Sequence, residues 1–231
     1  MIEDYAAKYH QFPYFLADVR TQKEEHGGCT FIYGLLHSFD DLPAMKTSYA
    51  SWWYKFGLLH RDNGKPAIVY CNNRQEWYQF GKLHSHNDEP AVIREYGTRE
   101  WWKNGQRHRD GDKPAIIHHD GSQEWYQNGK IHRDGDKPAL ISNGDFCWYR
   151  QGLLHRDDDK PAVIQENRKE WYQNGKLHRD GDKPALVSRD VQIWVQFGVE
   201  HREDGQPSTI MKNGTTIWRE HGVVKKSILA D

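Results

Sequence analysis

The chain reads as an all-β protein, an elongated array of antiparallel β-hairpins with a period of 23 or 24 residues. Three observations carry that reading. Glycines recur at Gly34, Gly57, Gly81, Gly105, Gly129, Gly152, Gly175, Gly198 and Gly222, and a fixed spacing of this length marks stacked repeat units. Asn-Gly follows a short aromatic run at Asn128-Gly129 and Asn174-Gly175, and both residues accept the positive φ of a type I′ hairpin turn. Gly or Pro returns about every dozen residues, which disfavours a helical solenoid.

Residues 1–30 read as an N-terminal cap. Tyr5, Ala6 and Tyr9 stand at helical spacing ahead of Pro13, so a short helix is expected over Glu3–Gln11. Residues 31–207 form the array of about eight copies. The first, around Phe31–Ala44, is degenerate, with Tyr33 before Gly34 and no Trp. In a full copy, Glu124-Trp125-Tyr126-Gln127 predicts one strand and Lys130-Ile131-His132-Arg133 its partner. Asp134-Gly135-Asp136-Lys137 predicts a loop, and Pro138-Ala139-Leu140-Ile141 a further extended run with Pro at its start. Each repeat then holds two strands, or three if the segment around the His pairs. Strand alternation puts Trp125 and Tyr126 on opposite faces, and Ala139 with Ile141 on one face. Residues 208–231 read as a capping hairpin that keeps Trp218 and Gly222 but replaces the His-to-Pro loop with Lys225-Lys226. Lysines on an exposed edge discourage further strand pairing.

Hydrophobic residues make up 36% of the 231, and ten Trp with twelve Tyr imply a core built on rings. Net charge is −1, so no broad attraction to nucleic acid or an anionic membrane follows. Cys29, Cys71 and Cys147 share no repeat position, which argues for free thiols in a reducing, cytoplasmic setting. Neither a secretory leader nor an apolar span of roughly 20 residues is present, so no membrane insertion is expected.

The units Trp125-Tyr126-Gln127-Asn128-Gly129-Lys130-Ile131-His132 and Trp171-Tyr172-Gln173-Asn174-Gly175-Lys176-Leu177-His178 resemble the MORN repeat. The resemblance spans roughly Phe31 to Val224 and implies stacked hairpins acting as an assembly module. MORN units continue His-Gly-x-Gly, whereas His132 is followed by Arg133-Asp134-Gly135-Asp136-Lys137-Pro138-Ala139. The longer loop looks like the divergent relatives abundant in large DNA viruses of amoebae, which would place the protein in host cytoplasm or a virion.

Trp53, Trp77, Trp101, Trp125, Trp148, Trp171, Trp194 and Trp218 are expected to form the structural core row. His60, His84, His108, His132, His155, His178 and His201, with His37 before them, are expected to tie their own loops by hydrogen bonds. Copies spaced roughly 9–10 Å apart along a stack cannot share a zinc ion. Each Asp-Gly-Asp-Lys loop offers two carboxylates beside an Arg and a Lys, so local neutralisation explains it better than calcium. His-Arg-Asp occurs five times without the other parts of a kinase site. No catalytic set, metal or cofactor is expected. Tyr54, Tyr78, Trp102, Tyr126, Tyr149 and Tyr172 form the aromatic row best suited to a partner. The leading expectation is a non-enzymatic scaffold for protein–protein interaction or self-assembly along that face. One alternative is a glycan- or ligand-binding repeat using the loops around His132 and Asp134. The other is nucleic-acid binding by base stacking.

Overall fold

Asn128 at φ 49° and Gly129 at φ 80° make the two-residue turn that their sequence calls for. Tyr126–Gln127 pairs across it with Lys130–Ile131, in the register Tyr126↔Ile131 and Gln127↔Lys130. The computed structural model describes residues 23, 24, 27–32 and 34–230, all strand, turn or irregular, with no helix among them. The helix expected over Glu3–Gln11 lies outside the described residues.

Two compact units divide the chain, Met1–Glu95 and Tyr96–Asp231. Each contains the same antiparallel meander. In the first, Met45–Lys46, Ala50–Trp52, Ile68–Tyr70, Gln75–Glu76 and Val92–Ile93 pair in that order. In the second, twelve strands run in sequence from Arg99–Glu100 to Val223–Ile228, each paired with the next. Small two-stranded hairpins alternate with these meander strands; Tyr54–Lys55 with Leu58–Leu59 and Tyr172–Gln173 with Lys176–Leu177 are examples.

A full repeat therefore has four short strands in two different sheets, not two or three. The single strand expected from Glu124 to Gln127 breaks at Trp125. Gln123–Glu124 belongs to the meander and Tyr126–Gln127 to the hairpin. Trp125 is the hinge between them: its amide donates to the Ala139 carbonyl at 2.8 Å, and its carbonyl accepts from the His132 amide at 3.0 Å.

The break also corrects the face assignment. Ala44, Ala67, Ala91, Ala115, Ala139, Ala162 and Ala185 have no exposed surface, yet Ala139 precedes its strand, which begins at Leu140. Alternation cannot be carried across that bend. The residue directly after the Ala is the buried one, as at Ile68, Val92, Ile116, Val163 and Leu186. The next, Ile117 or Ile164, is only half-buried.

Burial is otherwise aromatic. Trp53, Trp101, Trp125, Trp148, Trp171 and Trp194 are buried, and Trp77 and Trp218 half-buried. The last hairpin, Thr216–Glu220 with Val223–Ile228, fuses the two strand types and carries a bulge between Trp218 and Arg219.

Candidate functional site

Five of the Args that follow a repeat His (Arg61, Arg133, Arg156, Arg179 and Arg202) join one repeat to the one before it. Arg133 lays its guanidinium 3.8 Å from the centre of the Trp125 ring. Its Nε and Nη2 donate to the two carboxylate oxygens of Asp112 at 2.7 and 3.3 Å, and Nη1 donates to the Pro138 carbonyl at 3.2 Å. Lys137 adds a donor to Asp112 at 2.6 Å. A planar fork with a stacking face suits this task, and a lysine could not perform all of it. The same set recurs as Arg156 on Trp148 with Asp136, Arg179 on Trp171 with Asp159, and Arg202 on Trp194 with Asp182. In the first unit it is Arg61 on Trp53 with Asp41.

Neutralisation is thus not confined to one loop, as the sequence reading had it. The Asp directly before the loop Lys (Asp112, Asp136, Asp159 and Asp182) serves the following repeat, 20 or 21 residues on. Hydrogen bonds from Arg, then Lys, hold Asp112, Asp136 and Asp159 down to about 2. Where the Asp is missing, so is the Arg. Gly64 is followed one repeat later by Ser85, and Gly205 by Lys226, which stands 4.7 Å from the Trp218 ring centre.

The first loop Asp serves the His. His108, His132, His155 and His178 place Nε2 between 2.8 and 3.1 Å from the carboxylate two residues on, as does His60 with Asp62. Glu203 takes that role for His201 at 2.8 Å. The expected own-loop tie is present in these six, and it is half of what the ring does. Nδ1 accepts a backbone N–H from the next hairpin turn: Phe80 on His60, Asn128 on His108, Asn174 on His155 and Phe197 on His178, at 3.1 to 3.4 Å. An accepting Nδ1 puts the proton on Nε2. At His132 the same nitrogen lies 3.4 Å from the Gln151 amide and 3.3 Å from the Tyr149 carbonyl. His84 is half-buried with its ring 5.3 Å from that of His86. Among the described residues, no three His, Cys, Asp or Glu gather as a metal-holding group.

The indole N–H groups divide the loops into two forms. Trp53, Trp77, Trp125, Trp171 and Trp218 donate to a carbonyl of the preceding loop, at Asp41, Gly64, Asp112, Asp159 and Gly205, over 2.9 to 3.2 Å. Each accepting residue has positive φ and follows another residue with positive φ. At Gly135 and Gly181 only the Gly has positive φ, and the Lys137 and Lys183 amides turn back onto those Gly carbonyls. Trp148 and Trp194, which face these two loops, bury an Nε1–H with no acceptor in hydrogen-bond geometry among the described residues.

The aromatic row expected to be open is half-buried throughout, at Tyr54, Tyr78, Trp102, Tyr126, Tyr149 and Tyr172. The Tyr78 and Tyr126 hydroxyls donate inward to Glu76 at 2.9 Å and Glu124 at 2.8 Å, and Trp102 Nε1 donates to Glu100 at 3.2 Å. Burial first, then the hydrogen bonds to Glu124 and Glu170, push Tyr126 and Tyr172 up to about 12. Sequence reasoning missed these acceptors. Glu76, Glu100 and Glu170 are buried just before a Trp, on the meander face that otherwise carries Ile68, Val92 and Leu186. Arg74, Arg107 and Arg168 neutralise them from the side. A Glu recurring before Trp was visible in the sequence, but exposure is the ordinary reading of Glu.

Cavities lie among the loops of the described residues. One of about 160 Å³ is bounded by Asp41, Trp53, His60 and Arg61, and one of about 260 Å³ by Lys183, Asp182, Trp194 and Arg202. Each holds a clasp pair already joined, Arg61 with Asp41 and Arg202 with Asp182. The cysteines are free thiols. No helix among the described residues is long and apolar enough to cross a membrane. Comparison with protein-family models found no match, and comparison with curated proteins found none either.

Proposed function

We propose that this chain is a non-enzymatic β-repeat scaffold that presents a series of equivalent hairpins to protein partners. One observation carries the reading. The residues that repeat (His, Arg, Asp, Lys, Trp) are engaged with the neighbouring repeat, while those that differ stand at the hairpin tips, where they pack on that repeat with one side and keep the other in solvent. Phe197 is 61% exposed, Leu153 50% and Phe56 37%, whereas Asn128-Gly129-Lys130 puts polar groups at the same place. Invariant framework with variable exposed tips suits a surface that selects its partner by tip chemistry. The tips are preferred to the Tyr row because the Tyr78 and Tyr126 hydroxyls are bound inward. The resemblance to MORN repeats would imply an assembly role, and three cysteines that share no repeat position fit a cytoplasmic setting.

The test is affinity capture with the full chain, Leu153→Ser/Phe197→Ser, and Tyr126→Phe. A partner retained by the wild type and Tyr126→Phe, but lost from a tip variant with unchanged circular dichroism, is the expected result. Equal retention by the tip variant refutes the tip surface.

A further inference from the structure

Successive hairpins meet at their turns through one recurring contact. The amide of a turn Gly donates to a carbonyl of the preceding hairpin: Gly57 to Leu36, Gly81 to Leu59, Gly175 to Leu154 and Gly198 to Leu177 at 2.8 Å, Gly222 to Glu200 at 2.9 Å. The Gly rests on the side chain one residue before that carbonyl. A Cβ on Gly57 would stand 3.4 Å from Leu35, on Gly81 3.5 Å from Leu58, on Gly175 3.2 Å from Leu153 and on Gly222 3.5 Å from Val199. At Gly175 the requirement is double, since φ is +80° and an added Cβ would meet the Leu153 methyl at 3.2 Å, tighter than ordinary van der Waals contact.

The joint is directional, with a Gly turn on one side and, on the other, a side-chain seat beside an outward carbonyl. The seat is apolar at Leu35, Leu58, Leu153 and Val199 and the stem of a polar side chain at Gln106, Lys130 and Lys176. By the same offset, the last hairpin offers the Val223 side chain as seat and the Val224 carbonyl as acceptor. Val223 is 60% exposed, against 43% for Val199, which has Gly222 resting on it, and Val224 is 53% exposed beside it. The first hairpin presents the complement. Gly34, at φ +74°, has nothing within 4 Å of where a Cβ would stand, among the described residues. Ser38 occupies the place where later repeats carry the clasp Arg, so the first repeat leaves no guanidinium waiting for a preceding carboxylate.

We propose that the chain self-associates head to tail, the Gly34 turn of one copy resting on Val223 of the next, so that the internal joint is repeated between copies. Two unlike surfaces meet in such a contact, and a heterologous contact that does not close propagates. The proposal goes beyond partner capture and does not depend on it, because a partner could be lost while the joint persists.

Sedimentation velocity on the full chain tests it, with Val223→Glu to block the tail and Gly34→Asn to block the head. Asn tolerates positive φ, so the turn is kept while the flat surface is lost. The wild type should form species that grow over a roughly hundredfold rise in concentration. Each variant alone should remain monomeric, and an equimolar mixture should form a dimer and stop, since one variant keeps an intact head and the other an intact tail. A wild type that is monomeric throughout, variants that assemble like it, or a mixture that stays monomeric each overturns the proposal. Circular dichroism checks the fold of both variants, and Val223→Ser replaces Val223→Glu if the latter fails to fold.

Discussion

Arg133→Ala removes the centre of one clasp, and the structure sets the size of the loss. The guanidinium stacks on a buried Trp125 with its own side chain only 15% exposed, so the cation–π contact belongs in the desolvated range, about 1–2 kcal/mol. Asp112 is 42% exposed, and solvent screening limits that ion pair to about 1 kcal/mol at most. The bond to the Pro138 carbonyl adds about 1 kcal/mol, as expected for a charged donor in part-buried surroundings. Together these give about 3 kcal/mol, with neighbouring terms not strictly additive. Urea unfolding followed by Trp fluorescence measures it, and Arg133→Lys supplies the control for charge. Lysine keeps the positive charge but loses the fork and the stacking plane, so it should recover less than half of the loss. A cost below about 0.5 kcal/mol for Arg133→Ala, the level of an ordinary surface change, would refute the clasp as a source of stability.

Two further outcomes follow from the same geometry. Trp171→Phe deletes an indole donor bound to the Asp159 carbonyl, whereas Trp148→Phe deletes one with no acceptor. Trp148→Phe should therefore be milder by roughly 1 kcal/mol in paired urea melts, and equal costs would show that the bond to the Asp159 carbonyl contributes nothing. Acid should weaken the array through the loop carboxylates. Asp112, Asp136 and Asp159 sit at about 2 in the fold, below their unfolded values near 3.8. Their stabilisation is present above about pH 4 and is lost as pH falls toward 2, in thermal melts that 1 M salt should flatten because these groups are partly exposed.

The repeat, the β class, the Trp row and the hairpin turns were legible in the chain because each depends on local chemistry. Asn128-Gly129 makes its turn whatever surrounds it, and the Gly spacing reports the period directly. The breaks at Trp125 and Ala139 were not legible. Alternation is a rule for residues inside one strand, and both positions lie where the backbone leaves one sheet for another. The destination of each loop carboxylate was hidden for a related reason. Asp112 has Arg109 and Lys113 close by in sequence, yet its guanidinium partner is Arg133, one repeat later.

What the sequence determined by itself was therefore the unit: a hairpin, a loop and the residue types available to each. Only the tertiary structure decided which unit each residue serves. Stacking brings the loop of one repeat beside the Trp of the next, so Arg, Asp and His reach across the joint. It also leaves the Tyr row half-covered, with inward-bound hydroxyls at Tyr78 and Tyr126, and the tips as the exposed variable surface. Hydrogen bonds and ring stacking depend on distance in space, and across a repeat boundary that distance is set by packing.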